Sequence, residues 1–381
     1  MIDAMTIAVV LGFNIHGLAV ARSLSRAGIE VHAITATMDM PTVATRYATV
    51  HLWPGVNTDS IIAILARFSQ KILKGKKAVL FPTSDNMVTA IARHWPELES
   101  AYLLSWSHCR EMILTLIEKK SLPDICRRQG LLHPESVTIV SPEDCRRACE
   151  SLPSPLIVKP SRPQSNFKTL MVYDLESFVK IVDKYPSDLP YVAQAHIDGN
   201  DDSLYFCAMY LIEGRRVCTF TGRKLRAEPR GLGQGTVIAG EKNPELIEIS
   251  DQFLKGMDLS GPVAIEYKRD ASGKYWLIEP NIGRTEYCVD LAIQSGANLP
   301  VIEYNHATGK NVGRPMSPRK RDRIWYDTDK DPKCYFHYCR MTRQTRPFGK
   351  LPVFPYFGHG DWRPLLHASL RLIRQILRRL I

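Results

Sequence analysis

Residues 263–281 read Val-Ala-Ile-Glu-Tyr-Lys-Arg-Asp-Ala-Ser-Gly-Lys-Tyr-Trp-Leu-Ile-Glu-Pro-Asn. Two runs rich in β-branched and aromatic residues, 263–268 and 274–279, flank Asp270-Ala271-Ser272-Gly273, a turn composition. The stretch therefore predicts an antiparallel hairpin. Pairing sets Glu266 on one strand beside Glu279 on the other, and Asn281 lies two residues further on. Two carboxylates and an amide oxygen are hard ligands, suited to a Mg²⁺ ion that also holds substrate phosphates. A lone acid here would read as a solvated strand end. Two acids and an amide in an otherwise apolar stretch favour the metal.

The same pattern extends upstream. Runs 205–211 and 216–221 form a second hairpin about Glu213-Gly214, and strands are expected at 156–158, 170–173 and 191–196. The middle of the chain thus reads as α+β with antiparallel sheets. The N-terminal part reads differently. An apolar strand at 6–11 ends at Gly12, a helix follows over 17–27, and a strand follows at 29–34. With a later strand at 78–82, and Ser84 and Asp85 capping a helix that starts near Asn86, residues 1–110 predict a doubly wound α/β domain. The turn from Gly12 to Gly17 lacks the glycine spacing of a dinucleotide site, and no Gly-Lys-Ser/Thr follows. It reads as a tight strand-to-helix turn; the functional alternative has its amides facing a site. A helix is expected over 111–128.

Three cationic features accompany the acids. Lys159 ends the apolar strand Leu156-Ile157-Val158, where an ammonium is costly unless an anion is near. Lys119 lies in a mixed helix and says less by itself. Residues 222–236 combine four cations, among them Lys224 and Arg226, with four glycines. They read as a Gly-rich loop able to close on a carboxylate or acyl phosphate.

Taken in order, Glu118-Lys119, Lys159-Pro160, Gln194-x-x-Ile197-x-Gly199, Glu266 and Glu279-x-Asn281 resemble the ATP-grasp superfamily. The nearest branch is that of the carboxylate–amine ligases, with D-aspartate ligases and polysaccharide-cluster enzymes. The resemblance spans roughly residues 6–305, and five motifs in order are specific where each alone is weak. It implies an α/β N-terminal doubly wound domain followed by α+β ATP-grasp domains with antiparallel sheets. The expected divisions are a Rossmann-like domain at 1–110, a lid subdomain at 111–190, a metal-bearing subdomain at 191–310 and a basic extension at 311–381.

It further implies an ADP-forming ligase that joins an acid to an amine through an acyl phosphate. Lys119 and Lys159 would bind ATP phosphates, with Ser161 and Ser165 donating beside them. Backbone atoms of Gln194, Ala195, His196 and Ile197 would hold adenine, and Asp202 the ribose. Glu266, Glu279 and Asn281 would ligate Mg²⁺, with Mn²⁺ as an alternative ion. Arg284 would steady phosphoryl transfer, and Arg226 and Lys224 the acid. The partners implied are a small or carrier-linked carboxylate and an amine acceptor, and a dimer is compatible. The departures point to a divergent branch: residues 161–167 contain no glycine, Ala195 and His196 replace the usual acid, and Arg284 stands one residue further from Asn281.

The chain has 381 residues, 45% hydrophobic and 23% charged, with a formal net charge of +11. That charge is local. Residues 311–381 carry 16 Lys/Arg and 5 Asp/Glu, which leaves 34 of each in 1–310. A general nucleic-acid reading therefore fails. The nine scattered cysteines include no Cys-x-x-Cys pair and predict reduced thiols. No run is long enough to span a bilayer and no signal peptide is evident, which predicts a cytoplasmic protein.

Leu366, Leu370, Ile373, Leu377 and Leu380 recur at helical spacing beside Arg371, Arg374, Arg378 and Arg379. Three fates are open to this cationic amphipathic helix: packing on the body, lying on the cytoplasmic face of a membrane, or docking a partner. The basic run 315–323 reads as a solvated loop. The alternative to a ligase is a non-catalytic nucleotide-binding scaffold docked through this tail. A dehydrogenase on the first β-α-β unit is disfavoured by its glycine pattern.

Overall fold

The structure is a computed structural model that describes residues 6–57, 60–118, 121–161, 165–167, 169–313, 323–342 and 350–380. Lys119 and most of the basic run 315–323 lie outside the described residues.

Three sheets carry the fold. The first is parallel and holds β1 (Ile7–Leu11), β2 (Val31–Thr35), β3 (Thr49–Leu52), β4 (Ala78–Pro82) and β5 (Tyr102–Leu103) in the order β3-β2-β1-β4-β5. The central strand is buried on both faces, as its unbroken apolar run requires. Gly12 ends it at φ +79°, a conformation open to glycine, and the Thr83 hydroxyl closes the turn by donating to Leu11 O at 2.6 Å. The helix Ile15–Arg26 follows. Its N-cap, Asn14, accepts from the amides of His16 and Gly17 at 3.0 and 3.2 Å. Those two amides are therefore engaged within the turn, which favours the tight-turn reading.

The second sheet holds β6 (Ser136–Ile139), β7 (Leu156–Pro160), β8 (Leu170–Val172) and β9 (Tyr191–Ala195) in the antiparallel order β6-β9-β7-β8. It has its own core, built around Ile139, Val158, Phe178, Tyr191 and Ala193. The third has seven strands: β10 (Leu204–Ile212), β11 (Arg215–Glu228), β12 (Gln234–Gly240), β13 (Gly261–Arg269), β14 (Tyr275–Ile282), β15 (Arg323–Tyr326) and β16 (Leu351–Val353), ordered β14-β13-β10-β11-β12-β15-β16. Along β10, Cys207, Met209 and Leu211 enter one core with Ile7, Val9 and Leu11, while Phe206, Ala208 and Tyr210 enter another with Ala8 and Val10. Strand alternation thus clamps the first and third sheets together on two faces. The doubly wound N-terminal unit and the antiparallel hairpins stand as the sequence predicts.

Three expectations change. The single helix over 111–128 is two, Arg110–Ile117 and Leu122–Arg128, because Pro123 has no amide for a continuing helix and fits only its first turn. The Gly-rich loop over 222–236 is mostly sheet: Lys224 and Arg226 lie on β11, paired with β12, and only 229–233 turn. The strand expected at 191–196 ends at Ala195 and belongs to the second sheet, beside β7. In the basic tail, β15 and β16 extend the large sheet and bury Trp325, Tyr326 and Val353.

Candidate functional site

A cavity of about 810 Å³ opens where the three sheets meet. Its acidic wall is the hairpin β13–β14. Glu266 pairs directly with Glu279, so their side chains share one face. Asn281, two residues beyond Glu279, returns to that face by alternation. All three line the cavity. The Lys224 Nζ donates to Glu266 Oε2 at 2.6 Å, and Arg284 Nη2 donates to Asn281 Oδ1 at 2.6 Å. Cations thus sit against these oxygens. Burial opposes the Lys224 charge, but Glu266, Glu286 and Glu279 together outweigh it and hold its pKa up to about 12. Burial likewise opposes Arg284, and Asp85, Glu286 and Glu279 hold it above its usual range. Its Nε bonds Asp85 Oδ1 at 2.6 Å. Two carboxylates and an amide on one wall are the oxygen donors that suit a small divalent cation, which would take the places that the Lys224 ammonium holds on Glu266 and the Arg284 guanidinium holds on Asn281.

A further part of the wall comes from the second sheet. Lys159, Ser161 and Ser165 line it with Gln194, Ala195, His196 and Ile197. The backbone here is partly committed: the Ala195 amide bonds Glu135 O at 2.9 Å and the His196 amide bonds Pro155 O at 3.3 Å. Ser165 Oγ donates to Phe167 O at 2.6 Å. The Ser161 hydroxyl is buried and has no hydrogen-bond partner among the described residues. Gln194 Nε2 lies 3.3 Å from His133 Nε2, while His133 Nδ1 faces Leu277 O at 2.8 Å. Burial keeps His133 below the usual histidine range, so its Nε2 accepts.

Two of the expected site residues stand elsewhere. Arg226 turns to Asp331, its Nε 2.8 Å from Oδ2, and Asp202 pairs with Arg223 at 3.4 Å. Neither is among the residues lining the cavity. Both are satisfied by partners that sequence spacing does not show.

The cavity also gathers residues that sequence reasoning missed. Lys268 lines it, 3.4 Å from His196 Nε2, and burial holds its pKa below the usual lysine range. Its place two residues from Glu266 on one strand was a readable signal. Glu286 has one carboxylate oxygen buried without a hydrogen-bond partner among the described residues. Burial, then Glu266, pushes its pKa up to about 7 against the pull of Arg284 and Lys224. It lies in an irregular turn, where no periodicity marks it. Ser84 and Asp85, at the start of helix Asp85–Arg93, contribute from the first sheet, and Asp329 and Lys330 from the tail. Cys288 also lines the cavity, but burial raises its thiol far above the usual range, which removes it as a thiolate nucleophile at neutral pH.

A family model described as "ATP-grasp in the biosynthetic pathway with Ter operon" matches residues 216–329. No curated protein matches the sequence. Among solved structures, the chain is similar to N5-carboxyaminoimidazole synthetase from Staphylococcus aureus complexed with ADP. There the TM-score is 0.68 at 13% identity, over 89% of this chain and 87% of that one. The biotin carboxylase domain of the Hydrogenobacter thermophilus 2-oxoglutarate carboxylase, crystallised with MgADP and bicarbonate, gives 0.67 at 15% identity over 84% and 73%. The L-amino acid ligase from Bacillus licheniformis gives 0.61 at 16% identity over 84% and 79%. The chain has the ATP-grasp fold, and the resemblance read from its motifs stands.

Proposed function

We propose that the chain is an ATP- and Mg²⁺-dependent ligase that activates a carboxylate as an acyl phosphate and joins it to an amine. The observation that carries this reading is the pairing of Glu266 with Glu279, with Asn281 on the same face, in one cavity that Lys159 also lines. Similar folds bound to ADP and MgADP support the choice of nucleotide and ion.

Glu266, Glu279 and Asn281 would hold the ion, which supplies positive charge to the β- and γ-phosphates; Mn²⁺ would suit the same oxygens. Lys159, on the second sheet, and Lys268, on the strand of Glu266, neutralise phosphate oxygens, and Arg284 and Lys224 orient the acid. The γ-phosphoryl group passes to a carboxylate oxygen and ADP departs. The amine nitrogen then attacks the acyl carbon, phosphate leaves with the C–O bond pair, and the nitrogen sheds a proton. Such chemistry rests on positioning and charge neutralisation, which this set of side chains provides. Arg226 would reach the acid only by leaving Asp331, and Asp202 would reach a ribose only by leaving Arg223.

The test is ADP release across mixed pools of carboxylic acids and amines. Turnover with a matched pair is expected to fall at least about a hundredfold in Glu279→Ala, as when a group facing transition-state charge is removed. Unchanged turnover in that variant removes the metal assignment. Nucleotide binding with no turnover in any pool favours the scaffold reading.

A further inference from the structure

The helix Arg363–Leu380 meets the body along one narrow side. Pro364 is buried, Ala368 one turn on is half-buried, and Arg371 a further turn on reaches Met40 Sδ at 3.8 Å. Positions i, i+4 and i+7 share a helix face, so this is the face turned inward. The apolar arc is turned away from it. Leu365, Leu366, Leu370, Leu372 and Ile373 are exposed by 40, 46, 44, 41 and 52%. An amphipathic helix of a globular protein ordinarily buries that stripe in its core; here it faces outward. Trp362, 62% exposed, precedes the helix.

What covers the arc must also suit its charge. Residues 363–381 hold five arginines and no acidic residue. A second copy of the helix would bring a second set of arginines with no carboxylate to meet them. An anionic lipid surface answers both features at once: acyl chains accept the leucines, and headgroups accept the guanidinium groups. Among the described residues no helix is long and apolar enough to cross a membrane, so the geometry is that of a helix lying in the interfacial plane.

We propose that the helix Arg363–Leu380 docks the protein on an anionic membrane surface through its outward Leu365–Ile373 arc. This docking is separate from the ligase reaction and does not depend on it.

The experiment is co-sedimentation of the full chain with vesicles of neutral phosphatidylcholine, and with vesicles that also contain phosphatidylglycerol, at low and high salt. Pelleting is expected with the anionic vesicles at low salt and is expected to weaken as salt rises. The triple change L366S/L370S/I373S should cut it by about tenfold or more, since the buried apolar area is lost. Arg374→Ala and Arg378→Ala should each cost roughly fivefold. Far-UV circular dichroism and the thermal midpoint should not move in the triple variant, because the altered side chains touch no core.

Two results overturn the proposal. One is the absence of pelleting with either vesicle, including the case where sedimentation velocity shows a dimer that the serine changes dissolve, which assigns the arc to a second copy. The other is pelleting that the serine changes leave intact, which reduces the effect to charge alone.

Discussion

Glu303 is a carboxylate held almost without water. It lies on the helix Leu299–Ala307, 2% exposed, and accepts a hydrogen bond from the Ser105 hydroxyl at 3.1 Å. Burial pushes its pKa up to about 8 from an ordinary 4.5, with the Ser105 hydrogen bond pulling only weakly the other way. The consequence for stability has a definite sign. Below pH 4.5 the group is protonated in both the folded and the unfolded chain and contributes no pH dependence. As pH rises from 4.5 through 8 the unfolded chain gives up the proton that the folded one retains, so folding loses stability across that window. The loss is several kcal/mol at most, roughly 1.4 for each unit of pKa. Glu303→Gln keeps a neutral acceptor for Ser105 and removes the titration. Urea unfolding at about pH 5 and about pH 9 should show the parent losing a few kcal/mol more than the variant. Parallel losses would mean that Glu303 does not titrate in that window. At this scale sequence alternation served the acids on strands and failed elsewhere. Glu266, Glu279 and Asn281 were legible because a strand has a period of two. Glu286 and Glu303 were not, since neither a turn nor a single helix position reveals burial.

The secondary elements divide along a similar line. Hairpins closed by local turns, β10–β11 at Glu213-Gly214 and β13–β14 at Asp270–Gly273, could be read because both partners lie close in sequence. The place of the tail could not. Strand β15 joins β12 across more than eighty residues, a pairing decided by which edge remains open. The segment before the last helix is tied down by a partner far more distant still, 339 residues away. Arg22, on the helix Ile15–Arg26, places its Nε 2.8 Å from Asp361 Oδ2, and the two side chains are 5% and 0% exposed. Asp361 also accepts from Thr45 Oγ1 at 2.7 Å and from the Arg46 amide at 3.2 Å. Removing one member of such a pair leaves the other charge dry and uncompensated. Asp361→Ala is therefore expected to lower stability by about 3–5 kcal/mol, read as a shift in the urea midpoint at unchanged slope. A change below about 1 kcal/mol, the range of exposed ion pairs, would show that the strap is solvated and that the tail's attachment rests on its strands instead.

At the scale of the molecule, the candidate site is a property of the assembly of sheets. The second sheet packs around its own core, apart from the two cores that clamp the first and third together. Its Lys159 lines the same cavity as Glu266 and Glu279. A nucleotide that places phosphates on Lys159 and a cation on the two carboxylates would therefore bridge units that otherwise share little core. Ligand that binds only the folded chain stabilises it by mass action, about 2.7 kcal/mol at a hundredfold excess over Kd. ADP with Mg²⁺ should raise the thermal midpoint by several degrees and slow proteolysis between the second and third sheets. ADP with a chelator should do markedly less, because the carboxylate wall then lacks the charge that joins it to the phosphates. Glu279→Ala should abolish the Mg²⁺-dependent part and retain the rest, while Lys159→Ala should weaken both parts together. If ADP stabilises the chain equally with Mg²⁺ and with chelator, the two acids do not hold an ion. The cavity would then bind nucleotide through its cations alone, which is what a scaffold without phosphoryl transfer requires.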